Sequence, residues 1–244
     1  MQEFSVPAKV PADPTANTTD LLIARVGETP DGALFAIPDG SGGWRDVTAR
    51  EFHRQVVALA KGFAAAGVQP GDKIGIMART SYEWTLIDYA VWFAGAVLVP
   101  IYDTSAPAQI QWNLTDSGAT SVIFESVEHF SRFDEIRSEV PAVTRVWTIG
   151  SGDLGKLVEL GREVPDEEIE RRRRLATGAD LATLIYTSGS TGSPKGCVLT
   201  HSNFVELSRN AVASFPEVLN PDSSTVLFIT LSHVFARFIS VLAV

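Results

Sequence analysis

The sequence predicts an α/β protein with a mostly parallel sheet. Between residues 48 and 149, short apolar segments alternate with amphipathic helical segments, and capping or turn residues mark the changes. Strands and helices that alternate in this way are joined by right-handed crossovers, which place the strands parallel. The 244 residues are 45% hydrophobic and 20% charged, proportions typical of a globular protein with a substantial core.

Composition excludes several classes of protein. The 20 basic and 29 acidic residues give a net charge of −9, which is the wrong sign for a general DNA or RNA binder. The single cysteine, Cys197, excludes an intramolecular disulfide and a multi-cysteine zinc site in this sequence. Residues 1–10 lack a signal-peptide layout, and the longest apolar run, 90–101, is too short to span a bilayer. We therefore expect a cytoplasmic protein without a nucleic-acid partner.

The first forty-odd residues are rich in Pro, Asp, Gly and Thr and predict an extended lead-in with short strands. We assign residues 1–47 to this lead-in and residues 48–244 to part of an α/β domain. Thr48 and Glu51 are spaced as a capping box, which predicts that a helix begins here. Its apolar face and its terminating glycine follow at the expected spacing: Phe52, Val56, Ala60, Phe63, Ala64 and Gly67.

The alternation then continues along the chain. Ser105 is the predicted N-cap of one helix, with Pro107 in its first turn. The predicted strands are 73–77, 96–101, 121–124 and 145–149, and the predicted helices are 81–94, 105–118 and 127–138.

A charged segment at 150–180 interrupts this pattern. Four arginines, 171–174, follow a run of acidic residues at 166–170. The arginines could form a patch for an anionic ligand, or the segment could be a solvated helix whose acids precede its bases by three and four residues. The spacing favours the solvated helix, since it accounts for the charges without a ligand.

A loop rich in glycine and hydroxyl side chains follows the predicted strand 182–186. It reads Thr187-Ser-Gly-Ser-Thr-Gly-Ser-Pro-Lys-Gly196, and a second strand is predicted at 197–200. Glycines allow the backbone to approach a ligand closely, and successive N–H groups with hydroxyls form an anion-binding concavity. Lys195 adds a positive charge. This combination predicts a polyphosphate ligand.

Three other interpretations of the loop fit less well. A Walker A loop requires Gly-Lys-Ser/Thr, whereas Lys195 lies between Pro194 and Gly196. A dinucleotide fingerprint opens into a helix, whereas this loop leads into a predicted strand. A flexible linker rarely ends in Pro-Lys-Gly between two apolar strands.

The segment Leu184-Ile-Tyr-Thr-Ser-Gly-Ser-Thr-Gly-Ser-Pro-Lys-Gly196, with Leu199-Thr-His-Ser-Asn203, closely resembles the phosphate-loop signature of the adenylate-forming (AMP-dependent synthetase and ligase) family. The resemblance extends over nearly the whole chain. Further segments resemble the long-chain fatty acid–CoA ligase branch: Arg79-Thr-Ser-Tyr-Glu-Trp84, Gly95-Ala-Val-Leu-Val-Pro-Ile-Tyr-Asp-Thr-Ser105, Leu114-Thr-Asp-Ser-Gly-Ala119 and Leu231-Ser-His-Val-Phe-Ala-Arg237.

The resemblance implies a two-step reaction in which ATP converts a fatty acid to acyl-AMP and pyrophosphate, and coenzyme A then takes the acyl group. By the same resemblance, Ser188, Gly189, Ser190, Thr191 and Gly192 would cradle the β- and γ-phosphates. Thr187 would contact Mg²⁺ or phosphate through its hydroxyl, and Lys195 would neutralise the leaving pyrophosphate. The loop is expected to be mobile without nucleotide.

Histidine and cysteine residues allow competing interpretations. By resemblance, His233 would orient the acyl-adenylate. Alternatively, it would cap the final helix, or its ring would be hydrogen-bonded within a core. His201 is expected to start a helix, and His53 and His129 to lie on helix surfaces. Cys197 is expected to be buried. Three tryptophans are expected to pack helices rather than stack on bases: Trp84, Trp92 and Trp112.

The apolar stretch from His233 to Val244 stops without a helix stop signal, so we expect part of a larger domain. The resemblance implies that the remaining nucleotide-binding segments and the small C-terminal domain lie outside these residues.

Two alternatives stay open: an acyl-AMP ligase that serves a carrier protein, and a truncated, non-catalytic nucleotide-binding module. An enzyme that takes fatty acids could bind membranes peripherally, although no basic amphipathic helix supports this. Chain length of the acid and oligomeric state are not predicted.

Overall fold

The computed structural model describes residues 7–187 and 193–244. Within them the helices are α1 (Thr18–Glu28), α2 (Ala49–Ala65), α3 (Tyr82–Phe93), α4 (Pro107–Ser117), α5 (Val127–Asp134), α6 (Asp153–Leu160), α7 (Asp166–Arg173), α8 (His201–Ser214) and α9 (Val234–Leu242). The strands are β1 (Ala33–Pro38), β2 (Trp44–Thr48), β3 (Lys73–Met77), β4 (Val97–Ile101), β5 (Ser121–Phe124), β6 (Arg145–Thr148), β7 (Leu181–Thr187) and β8 (Lys195–Thr200). The predicted α/β class is confirmed.

Six of these strands form one sheet in the order β6-β5-β3-β4-β7-β8. Neighbouring strands are parallel from β6 to β7, and β8 pairs antiparallel with β7. The mostly parallel sheet was therefore predicted correctly. Strands β1 and β2 form a separate antiparallel pair. Because the carboxyl ends of β3, β4 and β7 point the same way, they share the edge at which α/β sheets bind ligands.

Apolar residues cover both faces of the sheet. Ile74 and Ile76 of β3 join the core formed with α2 and α3, whereas Met77 joins a second core formed with α4 and α5. At Gly75 an added Cβ would lie 2.8 Å from a methyl carbon of Leu114, so a side chain on β3 at this position would force Leu114 of α4 to shift. Trp84 and Trp92 are buried in the first core, as predicted.

The predicted helix starts are partly correct. Thr48 caps α2 by accepting from the N–H of Glu51 over 3.1 Å, but the Glu51 carboxylate accepts from Arg45 and Gln55 instead of closing a capping box. The prediction of Ser105 as the next N-cap is wrong. Ala106 occupies that position, since Pro107 is the first helical residue and holds its predecessor extended.

The expectation of an extended lead-in is wrong at one place, because α1 lies within it. Asn17 and Asp20 form a reciprocal capping box: the Asn17 side chain accepts from the Thr19 N–H over 2.9 Å, and Asp20 accepts from the Asn17 N–H over 3.0 Å. Leu22 is fully buried. The short strands expected there are confirmed as β1 and β2, and the domain boundary at residue 47 remains a prediction.

The charged segment forms two helices, α6 and α7, and its arginines are not all solvated. Arg172 and Arg173 are buried. Arg173 donates to Asp20 of α1 over 2.8 Å, and Arg172 donates to the carbonyl of Val68 over 2.6 Å. The acid–base spacing of three and four residues is present, as in the pairs of Glu168 with Arg171 and Arg172. The expected solvated helix is thus corrected: two of its arginines join α7 to the rest of the chain.

Two further boundaries differ slightly from those predicted. Helix α5 ends at Asp134 and is followed by a 3₁₀ turn at Arg137–Glu139, and β6 ends at Thr148. Among the described residues, no helix combines the length and apolarity needed to cross a membrane.

Candidate functional site

The predicted phosphate loop connects the two strands of a β-hairpin. Strands β7 and β8 are antiparallel, and Thr187 is the cross-strand partner of Lys195 at the loop end of the hairpin. Both residues are exposed. The structure therefore places the two residues that flank the loop opposite each other on neighbouring strands. The other predicted phosphate contacts lie outside the described residues: Ser188, Gly189, Ser190, Thr191 and Gly192.

The loop end of the hairpin lies at the carboxyl edge of the sheet. Strand β7 runs parallel to β4, with Thr183 level with Leu98, and the Thr183 hydroxyl donates to the Leu98 carbonyl over 2.6 Å. Thr187 ends β7 four residues further on, just beyond the carboxyl end of β4. Ligands of open α/β sheets bind outside this edge, so Thr187 and Lys195 lie where a nucleotide site is expected.

The segment that leads to His233 is bound to the same edge. Thr80, just after β3, donates through its hydroxyl to the Ile229 carbonyl over 2.8 Å and accepts from the Leu231 N–H over 3.0 Å. The Ser232 hydroxyl donates to the carbonyl of Ile101 at the end of β4 over 3.3 Å. These bonds place His233 on the side of the sheet where β7 ends.

His233 caps α9. Its Nδ1 accepts from the N–H of Phe235 over 3.3 Å, and the side chain is exposed. The capping interpretation is therefore confirmed. A role in orienting an acyl-adenylate stays a prediction, and the exposed ring is compatible with it.

A buried arginine anchors α9 under the site. Arg237 is fully buried, forms an ion pair with Asp88 of α3, and donates to the Thr183 hydroxyl of β7. Its guanidinium also lies 5.1 Å from the ring centroid of Trp92. No role for Arg237 was predicted from the sequence. Asp88 and Arg237 each lie among apolar residues of a helix, and these two charges were the signal that could have revealed the pair.

Helix α4 contacts strand β7 and the residue that precedes strand β8, on the two sides of the loop. The indole N–H of Trp112 donates to the carbonyl of Pro194 over 2.8 Å, and the Tyr186 hydroxyl donates to Asp116 over 2.6 Å. Burial, and then the bond to Asp116, raise the pKa of Tyr186 well above its ordinary value. Trp112 was expected to pack between helices. It is instead 38% exposed and contacts the hairpin.

Charged groups at the same edge are paired with each other. Arg79 follows β3 and Glu125 follows β5, and the Arg79 Nε donates to Glu125 over 2.9 Å. This hydrogen bond, with the Arg79 backbone N–H, holds the pKa of Glu125 below its usual range. The Glu125 carboxylate is therefore ionised and bound to Arg79. Across residues 7–187 and 193–244, no group of three His, Cys, Asp or Glu side chains is arranged to hold a metal ion, and Thr187 remains a predicted Mg²⁺ contact.

Two expectations for reactive side chains are wrong. Cys197 is exposed, because β8 is the outer strand of the sheet and Cys197 is on its uncovered part. His129 is buried rather than on a surface, and its Nδ1 lies 2.9 Å from the Ser126 hydroxyl.

His53 is half-buried against Phe93. His201 begins α8, as expected. It is buried beside the Thr18 hydroxyl, and burial lowers its pKa to about 4.

Comparison with known proteins identifies the family. The sequence model of the AMP-binding enzymes matches residues 24–244. The chain belongs to the AMP-binding enzyme family. The recognition made from the phosphate loop is thereby confirmed.

Relatives within the AMP-binding family include fatty acid–CoA ligases. The chain is 40% identical over 247 aligned positions to the long-chain-fatty-acid–CoA ligase FadD15 of Mycobacterium bovis, and 39% identical to FadD15 of Mycobacterium tuberculosis. Each alignment covers 100% of this chain and 41% of the relative. The chain thus spans about two fifths of the length of these curated relatives.

Solved structures of AMP-binding enzymes share the fold. The chain superposes on a long-chain-fatty-acid-CoA ligase (FadD1) from Archaeoglobus fulgidus with a TM-score of 0.77 at 20% identity, covering 98% of this chain and 47% of that one. It superposes on the N-terminal domain of FACL13 from Mycobacterium tuberculosis with a TM-score of 0.72 at 24% identity, covering 93% and 54%. The expected fold, part of the N-terminal domain of an adenylate-forming enzyme, is confirmed.

Proposed function

We propose that this chain is the phosphate-binding part of a long-chain fatty acid–CoA ligase. Its substrates would be a fatty acid, ATP and coenzyme A. The observation that carries the proposal is the pairing of Thr187 with Lys195 at the carboxyl edge of the sheet, in a member of the AMP-binding family. The 40% identity to a relative named as a long-chain-fatty-acid–CoA ligase supports the choice of acid.

In the proposed first step, a carboxylate oxygen of the fatty acid attacks the α-phosphorus of ATP. The new oxygen–phosphorus bond forms as the bond from that phosphorus to the oxygen bridging the α- and β-phosphates breaks, and pyrophosphate leaves with the bonding electrons. Negative charge therefore grows on the departing oxygens. Positioned cations and hydrogen-bond donors stabilise such charge better than they stabilise the ground state.

The described residues fit this requirement. Lys195 carries an exposed ammonium group, a mobile point charge with three donors, next to the exposed hydroxyl of Thr187. Lys195 would bind the β- and γ-phosphates and neutralise the leaving pyrophosphate, while Thr187 would donate to phosphate or bind Mg²⁺. When bound, Mg²⁺ supplies further neutralisation of the phosphate oxygens. The predicted loop residues 188–192 would add N–H and hydroxyl donors.

In the proposed second step, the thiolate of coenzyme A attacks the acyl carbonyl carbon. A carbon–sulfur bond forms, the carbon–oxygen bond to AMP breaks, and AMP leaves. His233, at the same sheet edge, would orient the acyl-adenylate before transfer. The acyl acceptor separates this proposal from its alternatives: an acyl-AMP ligase would give the acyl group to a carrier protein, and a non-catalytic module would bind nucleotide only.

We also propose a cytoplasmic location.

The decisive experiment is ATP–pyrophosphate exchange by the full-length protein with a series of saturated fatty acids, followed by product analysis with and without coenzyme A. We expect exchange that depends on a long-chain acid, and thioester only when coenzyme A is present. Thioester absent with coenzyme A but formed on a carrier protein would establish the acyl-AMP ligase instead. ATP binding without exchange, for any acid tested, would leave the nucleotide-binding module.

A further inference from the structure

Helix α4 contacts the phosphate-loop hairpin through two side chains four residues apart. Trp112 and Asp116 lie on one face of the helix, since residues four apart are neighbours on an α-helix. Trp112 contacts Pro194, the residue that precedes strand β8, and Asp116 contacts Tyr186 of strand β7. These contacts lie next to the two phosphate-binding candidates: Pro194 precedes Lys195, and Tyr186 precedes Thr187.

The contact with β7 also restricts the residue that β8 can carry at position 196. Tyr186 is the cross-strand partner of Gly196, and an added Cβ at Gly196 would lie 3.2 Å from the Tyr186 ring and 3.3 Å from its hydroxyl oxygen. The ring therefore lies over Gly196, and its hydroxyl donates to Asp116. A side chain at Gly196 would displace the ring. Helix α4 thus joins the Trp112 contact with Pro194 to the Asp116 contact with Tyr186. We name Trp112, Asp116, Tyr186 and Gly196 the α4 brace.

We propose that Trp112 and Asp116 are positioning residues for the phosphate loop: the α4 brace holds both ends of the loop and so places Lys195 and Thr187 for ATP. This inference rests on the proposed function. An exposed lysine on an outer strand has many conformations, and ordering it on binding costs free energy. Holding the backbone on both sides of the loop lowers that cost before nucleotide arrives.

Trp112→Phe tests the contact with β8, since it keeps an aromatic ring and removes the indole N–H. In the full-length protein, we expect hydrogen–deuterium exchange of the amides in β8 to accelerate about threefold to tenfold, as for loss of one neutral hydrogen bond. We expect kcat/KM for ATP to fall by a similar factor while KM for the fatty acid is unchanged. Trp44→Phe is the matched control, because Trp44 is 71% exposed and outside the brace.

Asp116 provides a second, independent test with a rescue. Asp116→Ala removes the acceptor for Tyr186, whereas Asp116→Asn keeps an oxygen that accepts the same bond. We expect Asp116→Ala to accelerate amide exchange in β7 and to lower kcat/KM for ATP by a factor similar to that for Trp112→Phe. Both quantities should remain close to their wild-type values in Asp116→Asn. The thermal midpoints of all variants should stay near that of wild type, because Trp112 and Asp116 are both exposed.

Two results would overturn the inference. Unchanged exchange of β7 and β8 in Trp112→Phe and Asp116→Ala would show that the brace does not hold the hairpin. Faster exchange with unchanged kcat/KM and unchanged calorimetric affinity for ATP would show that the brace has no role in nucleotide binding. Failure of the proposed function is distinguishable: wild type would then lack pyrophosphate exchange with every fatty acid, while hydrogen exchange and ATP calorimetry would still decide the role of the brace.

Discussion

Arg237 and Asp88 form an ion pair in the interior of the protein, where Arg237 Nε donates to the Asp88 carboxylate over 2.8 Å. Both side chains are almost inaccessible to solvent. The pair joins α9, whose N-cap is His233, to α3, and the bond from Arg237 to Thr183 extends the connection to β7. The buried guanidinium of Arg237 therefore links α9 to β7, the strand that ends at Thr187.

Asp88→Ala should lower the free energy of unfolding by about 3–5 kcal/mol, because it leaves the buried guanidinium of Arg237 without its counter-charge. Urea unfolding of the full-length protein measures this change. Asp31→Ala is the matched control: it breaks a pair with Arg50 in which both side chains are exposed, and should cost less than about 1 kcal/mol. Equal losses in the two variants would contradict the importance of burial.

Lys195→Ala should slow ATP–pyrophosphate exchange by about tenfold to a hundredfold, because the charge that neutralises the leaving pyrophosphate is removed. Lys195→Arg should retain part of the activity, since it keeps the charge with a different geometry. Lys156→Ala is the control, as Lys156 is a similarly exposed lysine on α6. Exchange at the wild-type rate in Lys195→Ala would remove Lys195 from the mechanism.

Substitutions of His233 separate a cap from a role in the reaction. His233→Ala should cost about 1 kcal/mol of stability through loss of the N-cap, whereas His233→Ser should restore a cap. If His233 also orients the acyl-adenylate, both variants should lose acyl-AMP formation to the same extent although only one loses stability. Full activity in His233→Ser would assign the residue to capping alone. Thermal unfolding and single-turnover adenylation are the two measurements.

Burial of His201 predicts a pH dependence of stability. Its pKa is about 4 in the folded chain and 6.5 ordinarily, so between these values the unfolded chain binds a proton that the folded chain does not. The free energy of unfolding should therefore fall as the pH drops from about 6.5 to 4, by up to about 1.4 kcal/mol per pH unit. It should not respond to this group above pH 6.5. In His201→Gln the slope should flatten by that amount, and an unchanged slope would contradict the assignment.

The strands and helices between residues 48 and 149 were predictable because each has its own local signal. Ser81 shows this, since it caps α3 by accepting from the Trp84 N–H. Helix α1 was missed because proline, aspartate and threonine nearby concealed the cap at Asn17. The Cys197 prediction failed for a different reason: whether a strand is central or outermost depends on its partners, which its own residues do not reveal.

The site was predictable where the chemistry is continuous in sequence, as from Thr187 to Lys195. It was not predictable where contacts join distant segments. The bond from Trp112 to Pro194 spans 82 positions, and the bond from Asp88 to Arg237 spans 149. Such pairs follow from strand order, because the sheet places β7 beside β4 and brings α4 and α9 against the hairpin.

The position of β8 at the margin of the sheet has a consequence for handling this protein. An outermost strand offers unsatisfied backbone groups to other chains, and Val198, which is 62% exposed, adds an apolar side chain to that surface. Lysine on such a strand opposes aggregation by charge repulsion. Lys195 would thus also oppose pairing of β8 with other chains. Neutral variants at this position should be assayed alongside light scattering, so that loss of protein to aggregation is not mistaken for loss of catalysis.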